Sequence, residues 1–160
     1  MPQTIPIASV REYMTRHFMD VFETMLSLKA VPSSELELPH SPERVCGSVG
    51  FAGQNVNGAV YVHLSASFAS RVAAAMLGLS PEEISGEAEV NDAVGEVGNM
   101  LTGGLKSWLS DCDRPCAVST PAIIRGAAFA IEPSPDVERE WLAFACGEER
   151  VAVEVHIKFL

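Results

Sequence analysis

The stretch from residue 89 to residue 111 is the feature that most restricts how this chain can fold. Its apolar side chains recur at the spacing of one helix face, with about 100° of rotation per residue, which predicts a long helix. The apolar face comprises Val90, Val94, Val97, Met100, Leu101, Leu105 and Trp108. We expect this face to lie in the core of the protein.

The opposite face of the predicted helix is polar along its whole length. Its residues, which we call the polar stripe, are Asp92, Glu96, Asn99, Gly103 and Lys106. Side chains three or four positions apart are neighbours on a helix, so the carboxylate of Glu96 and the carboxamide of Asn99 should point outward together. The same pattern also occurs on ordinary solvated helix faces, and the stripe alone therefore does not define a site.

Glycines inside this predicted helix, at positions 95, 98, 103 and 104, need a reason. A glycine in a helix interior costs about 1 kcal/mol relative to alanine. Gly104 lies near the apolar face, where we expect it to let a neighbouring helix approach. Gly95 and Gly103 lie on the polar side, where a missing side chain is expected to let a partner's backbone come close.

Composition indicates one ordinary globular domain covering residues 1–160. The chain is 48% hydrophobic, and its net charge of -10 with no basic run argues against nucleic acid as a partner. No stretch approaches the roughly 18 apolar residues of a membrane span, and no signal peptide begins the chain, so we expect a cytoplasmic protein without a membrane partner.

The four cysteines are too few to form a disulfide scaffold, and we expect them to be free thiols. Cys112 and Cys116 are close in sequence, but no histidine or second cysteine pair lies near them. The histidines are scattered, at positions 17, 40, 63 and 156. The pattern therefore predicts no zinc site and no metal of the protein's own.

The first half of the chain mixes helices with a hairpin. Ser9 and Glu12 resemble a capping box, which predicts a helix over residues 10–28. Residues 31–45 contain three prolines and predict a loop or an irregular edge. Alternating residues at 45–51 and 60–64 predict a β-hairpin that turns at Asn57-Gly58. A second helix is expected to start at Ser67, to pack closely through its alanines and to stop at Gly78.

The last third of the chain predicts strands, interrupted at Pro121 and Gly126. In the final strand, residues 151, 153, 155, 157 and 159 are expected to face the core. Glu154, His156 and Lys158 alternate with them and are expected to face solvent. This order of elements predicts an α+β fold, with long helices packed on one face of a mostly antiparallel sheet.

The segment Asp92-x3-Glu96-x2-Asn99, followed by Gly103 and later by Pro121, resembles the signature of the CheX/CheC/FliY family of chemotaxis phosphatases. Between Asn99 and Pro121 lie 21 residues, one fewer than in the family pattern. The order of elements also resembles this family over nearly the whole chain. Family members of the CheC type carry a second copy of the motif, but here Arg71 and Ala74 occupy the equivalent positions. The chain is therefore most similar to the single-site CheX type.

The resemblance implies a function: removal of phosphate from the aspartyl phosphate of a CheY-type response regulator, catalysed by Glu96 and Asn99. It implies that Asn99 orients the attacking water and that Glu96 pairs with the regulator's lysine, while magnesium belongs to the regulator. It also implies a homodimer, for which the alternating final strand offers a possible edge. Asp92 is expected to bond free N–H groups near the helix start and to support the site, Gly103 to give clearance, and Lys106 to contribute to recognition. The alternative is a binding module that docks a response regulator or another signalling partner without hydrolysis.

Overall fold

Three helices and seven strands make up the computed structural model, which describes residues 3–34 and 42–160. The helices are α1 (Ile7–Leu26), α2 (Ala66–Leu77) and α3 (Glu87–Asp111), with a short 3-10 turn at Pro81–Glu83. The strands are β1 (Val31–Pro32), β2 (Arg44–Ala52), β3 (Val56–Ser65), β4 (Ala117–Val118), β5 (Ala122–Gly126), β6 (Glu138–Cys146) and β7 (Glu149–Phe159). Within the described ranges, none of the helices is both long enough and apolar enough to cross a membrane.

All seven strands form one antiparallel sheet in the order β1-β6-β7-β3-β2-β4, and β5 pairs with β2 beside β4. One core cluster joins the helices to the sheet, including Val94 and Leu101 of α3 with Val60 and Val153 of the central strands. The predicted α+β fold is therefore confirmed. The C-terminal strand β7 pairs with β3 on one side and β6 on the other, so the prediction that it offers a free edge is wrong.

The first helix begins earlier than its capping signature predicted. Pro6 precedes the first helical residue, and the backbone N–H of Ser9 donates to the carbonyl of Pro6 from inside the first turn. Pro6 has the extended backbone that is usual just before a helix, and proline has no N–H to leave unpaired there. In the predicted loop after α1, Val31 and Pro32 pair with β6 as a short edge strand, and Pro39 lies outside the described residues.

The hairpin is confirmed, but its turn is not at Asn57-Gly58. Both residues lie inside β3, where they pair with Ala52 and Phe51, and the turn occupies residues 53–55. A Cβ on Gly58 would lie 2.0 Å from the backbone oxygen of His156, so this position requires glycine for close strand contact. The second helix is capped by Ser65 rather than Ser67, because the Ser65 hydroxyl accepts from the backbone N–H of Phe68.

The outward face of β7 is buried at Glu154 and His156, contrary to the predicted alternation, whereas Lys158 near the end of the strand is partly exposed. Glu154 and His156 are 2% and 5% exposed, because the segment after β5 crosses this side of the sheet. Phe129 of that segment stacks on the guanidinium of Arg44, whose Nη2 donates to its backbone oxygen. The ring of Phe129 also contacts that of His63. This segment forms a second layer over the polar side of the sheet, which the periodicity of the strands does not predict.

Two histidines share the buried carboxylate of Glu154. Nε2 of His63 lies 2.6 Å from one carboxylate oxygen, and Nε2 of His156 lies 3.1 Å from the other. Burial alone would raise the pKa of Glu154, but the hydrogen bonds from His156 and His63 outweigh it and lower the pKa to about 2. The ionised carboxylate is therefore favoured by folding, so its contribution to stability is present above its ordinary pKa and is lost as pH falls towards 2.

We expect Glu154→Gln to lower the free energy of unfolding by about 1.5–3 kcal/mol at neutral pH, the usual loss for hydrogen bonds to a charged group. Denaturant titrations across pH 2–7 should show this difference shrinking as pH falls below the ordinary carboxyl pKa near 4.5. Glu82→Gln, at an exposed carboxylate, is the matched control and should have little effect. A loss that is independent of pH would contradict this account.

Candidate functional site

The central helix α3 lies directly on the sheet and is held by its neighbours. Helix and strand come close at Gly98, where a Cβ would lie 3.2 Å from the side chain of Val49. The hydroxyl of Thr102 is buried and bonds to the carbonyl of Gly98 at 2.8 Å. The contact at Gly98 brings α3 close against β2, whereas the Thr102 hydrogen bond lies within the helix itself. The side of α3 that faces the sheet is buried, and the opposite side reaches solvent.

Helix α1 packs against α3 at Gly104, as the glycine pattern predicted. A Cβ at Gly104 would lie 2.0 Å from Nε2 of His17, whose ring instead bonds the carbonyl of Met100 at 2.9 Å. The Tyr13 hydroxyl donates to the carbonyl of Gly104 at 2.9 Å, and its ring stacks on Trp108. These contacts hold the second half of α3 against α1.

The polar stripe lies on the solvent side of α3. Glu96, Asp92 and Lys106 are exposed, while Asn99 is half-buried. Glu96 and Asn99 share the wall of an open recess of about 330 Å³. Its lining residues are Asn91, Asp92, Gly95, Glu96, Asn99, Pro121 and Ile123. The structure therefore brings the predicted carboxylate and carboxamide together beside one concave surface.

Pro121 forms the opposite wall of this recess. A Cβ at Gly95 would lie 3.3 Å from Cγ of Pro121, so the glycine lets the proline ring lie against the helix. The expectation that Gly95 leaves room for a partner's backbone is therefore wrong, since the protein's own proline covers it. Sequence analysis singled out both Gly95 and Pro121, but only the fold shows that they are in contact.

Sequence analysis did not identify Arg125 on β5, which holds Asn91, one of the residues that line the recess. Its Nε and Nη2 donate to Oδ1 of Asn91 at 3.0 and 2.7 Å. Its guanidinium also lies 3.5 Å from a carboxylate oxygen of Glu43 and 3.8 Å from one of Glu87. A planar guanidinium can hold several acceptors at once, so Arg125 ties β5, and with it the neighbouring Pro121, to the first turns of α3.

The remaining residues of the stripe have distinct positions. Asp92 lines the recess but lies beyond the first turn of α3, where Glu87 and Glu89 instead supply the acidic groups. The expected interaction of Asp92 with the free N–H groups of the helix start is therefore wrong. Nothing lies within 4 Å of where a Cβ of Gly103 would be, so this position is open. Gly103 and Lys106 follow further along α3, outside the recess.

Helix α2 presents no second copy of the Glu–Asn pair. Arg71 is exposed and lies 3.5 Å from a carboxylate oxygen of Glu149, while Ala74 is buried. The Arg71 side chain thus extends towards β7, and the methyl group of Ala74 offers no hydrogen-bonding group. The pair at Glu96 and Asn99 accordingly has no counterpart on α2.

The recess offers hydrogen-bonding groups rather than a nucleophile. Its described lining contains no serine, cysteine or histidine. A carboxamide both donates and accepts hydrogen bonds, so Asn99 can orient a water molecule, and a carboxylate such as Glu96 can hold a cationic partner group. Among the residues that the structure describes, no group of three His, Cys, Asp or Glu side chains is arranged to hold a metal ion.

Comparison with solved structures gives matches over nearly the whole chain. CheX from Vibrio vulnificus superposes with a TM-score of 0.80 at 24% identity, covering 97% of this chain and 100% of its own. A CheC-like protein from a Shewanella species gives 0.77 at 23%, covering 96% and 99%. CheX from Borrelia burgdorferi, in a complex with CheY, BeF3 and Mg2+, gives 0.68 at 19%, covering 92% and 97%. At these identities the likeness shows a common fold.

At the level of sequence, no curated protein matches this chain. The family model described as chemotaxis phosphatase CheX does match it, over residues 45–145. This range contains the polar stripe and Pro121, and it covers more than half of the chain. The chain therefore belongs to the CheX family of chemotaxis phosphatases.

Proposed function

We propose that this protein accelerates hydrolysis of the aspartyl phosphate of a CheY-type response regulator, with Glu96 and Asn99 entering the regulator's active site. The observation that carries this proposal is their joint position on the solvent side of α3, beside an open recess. Family membership supports the class of reaction. The rigid attachment of α3 to the sheet and to α1 supports insertion of a preformed pair of side chains.

The chemistry requires little from the phosphatase. An aspartyl phosphate is an activated acyl phosphate, and the regulator supplies a magnesium ion and a lysine, so the protein itself needs no cofactor for this step. What remains is to place a water molecule in line with the phosphorus. Asn99 performs this task through its donor and acceptor groups, and Glu96 pairs with the regulator's lysine and fixes the docking geometry.

The Borrelia burgdorferi neighbour supports the choice of partner, because that CheX is in a complex with CheY, BeF3 and Mg2+. We assign Asp92, Gly103 and Lys106 to the surface that surrounds the inserted pair. Asp92 lies nearest to it, Gly103 leaves space for the regulator, and Lys106 adds a charged contact at the far end of the stripe. We place the reaction in the cytoplasm, with which membership of the chemotaxis phosphatase family is compatible.

The direct test follows the decay of a phosphorylated CheY-type regulator with and without this protein. A phosphatase increases the decay rate constant. The alternative, a binding module, has the same exposed stripe but holds the regulator without increasing hydrolysis. Binding of the regulator together with an unchanged decay rate would establish that alternative and reject the phosphatase function.

We also propose that the protein is a homodimer, as the resemblance to CheX implies. The edge that forms it is not β7, which lies inside the sheet. An assembly through strands would use the side of β1 and β6 or the side of β4 and β5. Light scattering at micromolar concentration should give twice the 17.1 kDa mass of one chain. A mass of one chain that persists as concentration rises would contradict the proposal.

A further inference from the structure

A second concave surface lies on the other side of Glu96, between the end of α2 and the first half of α3. We call it the α2–α3 groove, and its volume is about 250 Å³. It is lined by Met76, Leu77, Glu89, Asp92, Ala93 and Glu96. Two of these residues, Asp92 and Glu96, also line the recess with Asn99, so the groove and the proposed catalytic surface are continuous.

The floor of the groove is apolar and open to solvent. Leu77, which lines the groove, is 53% exposed, and Leu79, two residues further along the chain, is 37% exposed. Gly78 lies between them with a φ of 68°, a left-handed conformation that ends α2 and redirects the chain. Exposed apolar surface that adjoins a functional surface is typical of protein-binding sites, because its burial on association is favourable.

Carboxylates form the rim of the groove on the α3 side. Glu89, Asp92 and Glu96 lie along one edge, opposite Met76 and Leu77. A complementary partner presents an apolar side chain to the floor and lysine or arginine side chains to the rim. A second copy of this chain fits poorly, because a symmetric contact through the groove would bring the two acidic rims together.

We propose that the α2–α3 groove is the docking surface for the receiver domain of the response regulator. It accepts one apolar side chain flanked by basic residues, while Glu96 and Asn99 reach the aspartyl phosphate next to it. The groove adds affinity and partner choice to the contact that Glu96 makes with the regulator's lysine, and Asn99 performs the chemistry. This inference rests on the proposed function for the identity of the partner.

The test compares Leu77→Ser with Met25→Ser. Met25 lies on α1 and is 56% exposed, so the control removes a similarly exposed apolar side chain that does not line the groove. The probe is a CheY-type regulator from the same genome, loaded with Mg2+ and beryllofluoride. Leu77→Ser should weaken its binding about tenfold, equivalent to part of the transfer free energy of a leucine side chain. Met25→Ser should bind like the wild type.

Kinetics and charge provide independent readouts. With phosphorylated regulator, Leu77→Ser should raise KM about tenfold and leave kcat unchanged, since the groove contributes equally to the ground and transition states. Glu89→Gln should weaken binding about twofold to threefold at low salt, with the difference disappearing at high salt because rim charges are screened. Far-UV circular dichroism establishes that each variant is folded.

Equal binding by Leu77→Ser and Met25→Ser would overturn the proposal. So would a Leu77→Ser variant that loses a dimer but binds the regulator normally, because the groove would then belong to a second copy of the chain. If the wild type binds the loaded regulator without accelerating hydrolysis, the proposed catalysis fails while the binding comparison still decides the role of the groove. If the wild type binds no regulator, both proposals fail.

Discussion

Asn99→Ala should reduce the accelerated hydrolysis of the aspartyl phosphate by roughly 10²–10³-fold, the usual cost of removing one preorganised hydrogen-bonding group from a reaction site. Asn99 is half-buried on the recess side of α3, and the core-facing residues of that helix lie on its other side. Its removal should therefore leave the fold and the binding of the regulator largely intact. The measurement is the decay of phosphorylated regulator at several concentrations of the variant.

The control for this variant is Ser110→Ala, which truncates an exposed polar side chain on the same helix outside the recess. It should retain the wild-type rate. An Asn99→Ala protein with full activity would remove the water-orienting role. One that fails to fold would show instead that Asn99 supports the structure, and thermal unfolding of both variants distinguishes these outcomes.

Glu96→Gln should act mainly on binding. An ion pair between Glu96 and the regulator's lysine is a charge-assisted contact, worth about 1.5–3 kcal/mol, so its loss should raise KM roughly tenfold to a hundredfold. The substitution keeps the shape of the side chain and removes only its charge. Steady-state rates measured over a wide range of phosphorylated regulator should recover towards the wild-type value at high concentration.

The two variants should therefore differ in their response to concentration. Asn99→Ala should stay slow even when saturated, because positioning of the water contributes only in the transition state. Glu96→Gln should be rescued by excess regulator. If neither variant is rescued and both show the same profile, the division of roles between Glu96 and Asn99 is wrong, even where the phosphatase activity itself is present.

Periodicity was sufficient to predict the elements whose side chains have one buried face. Helix α3 occupies residues 87–111, close to the predicted 89–111, and its polar stripe faces solvent as expected. The alternation of the last strand predicts that its polar residues face solvent, since alternation is typical of a strand with one solvated face. Glu154 is buried because a distant loop covers it, and no pattern within β7 contains that information.

Turn-forming residues were a poorer guide to structure where close contact with a neighbouring strand determined which residue fits. Asn57-Gly58 is a strong hairpin signal, yet Gly58 is needed inside β3 because the carbonyl of His156 lies against it. The site shows the same limit. Glu96 and Asn99 follow from helix geometry, whereas the contact of Pro121 with Gly95 and the bonds from Arg125 to Asn91 join residues far apart in sequence.

The most direct measurement is the decay of a phosphorylated CheY-type regulator when this protein is present at one tenth of the regulator's molar concentration. A catalyst turns over, so we predict that the whole population of phosphorylated regulator decays faster with the wild type, and that with Asn99→Ala it decays close to the rate of regulator alone. A binding module at this ratio holds at most one tenth of the regulator in a one-to-one complex. Wild-type decay indistinguishable from that of the regulator alone would contradict the account.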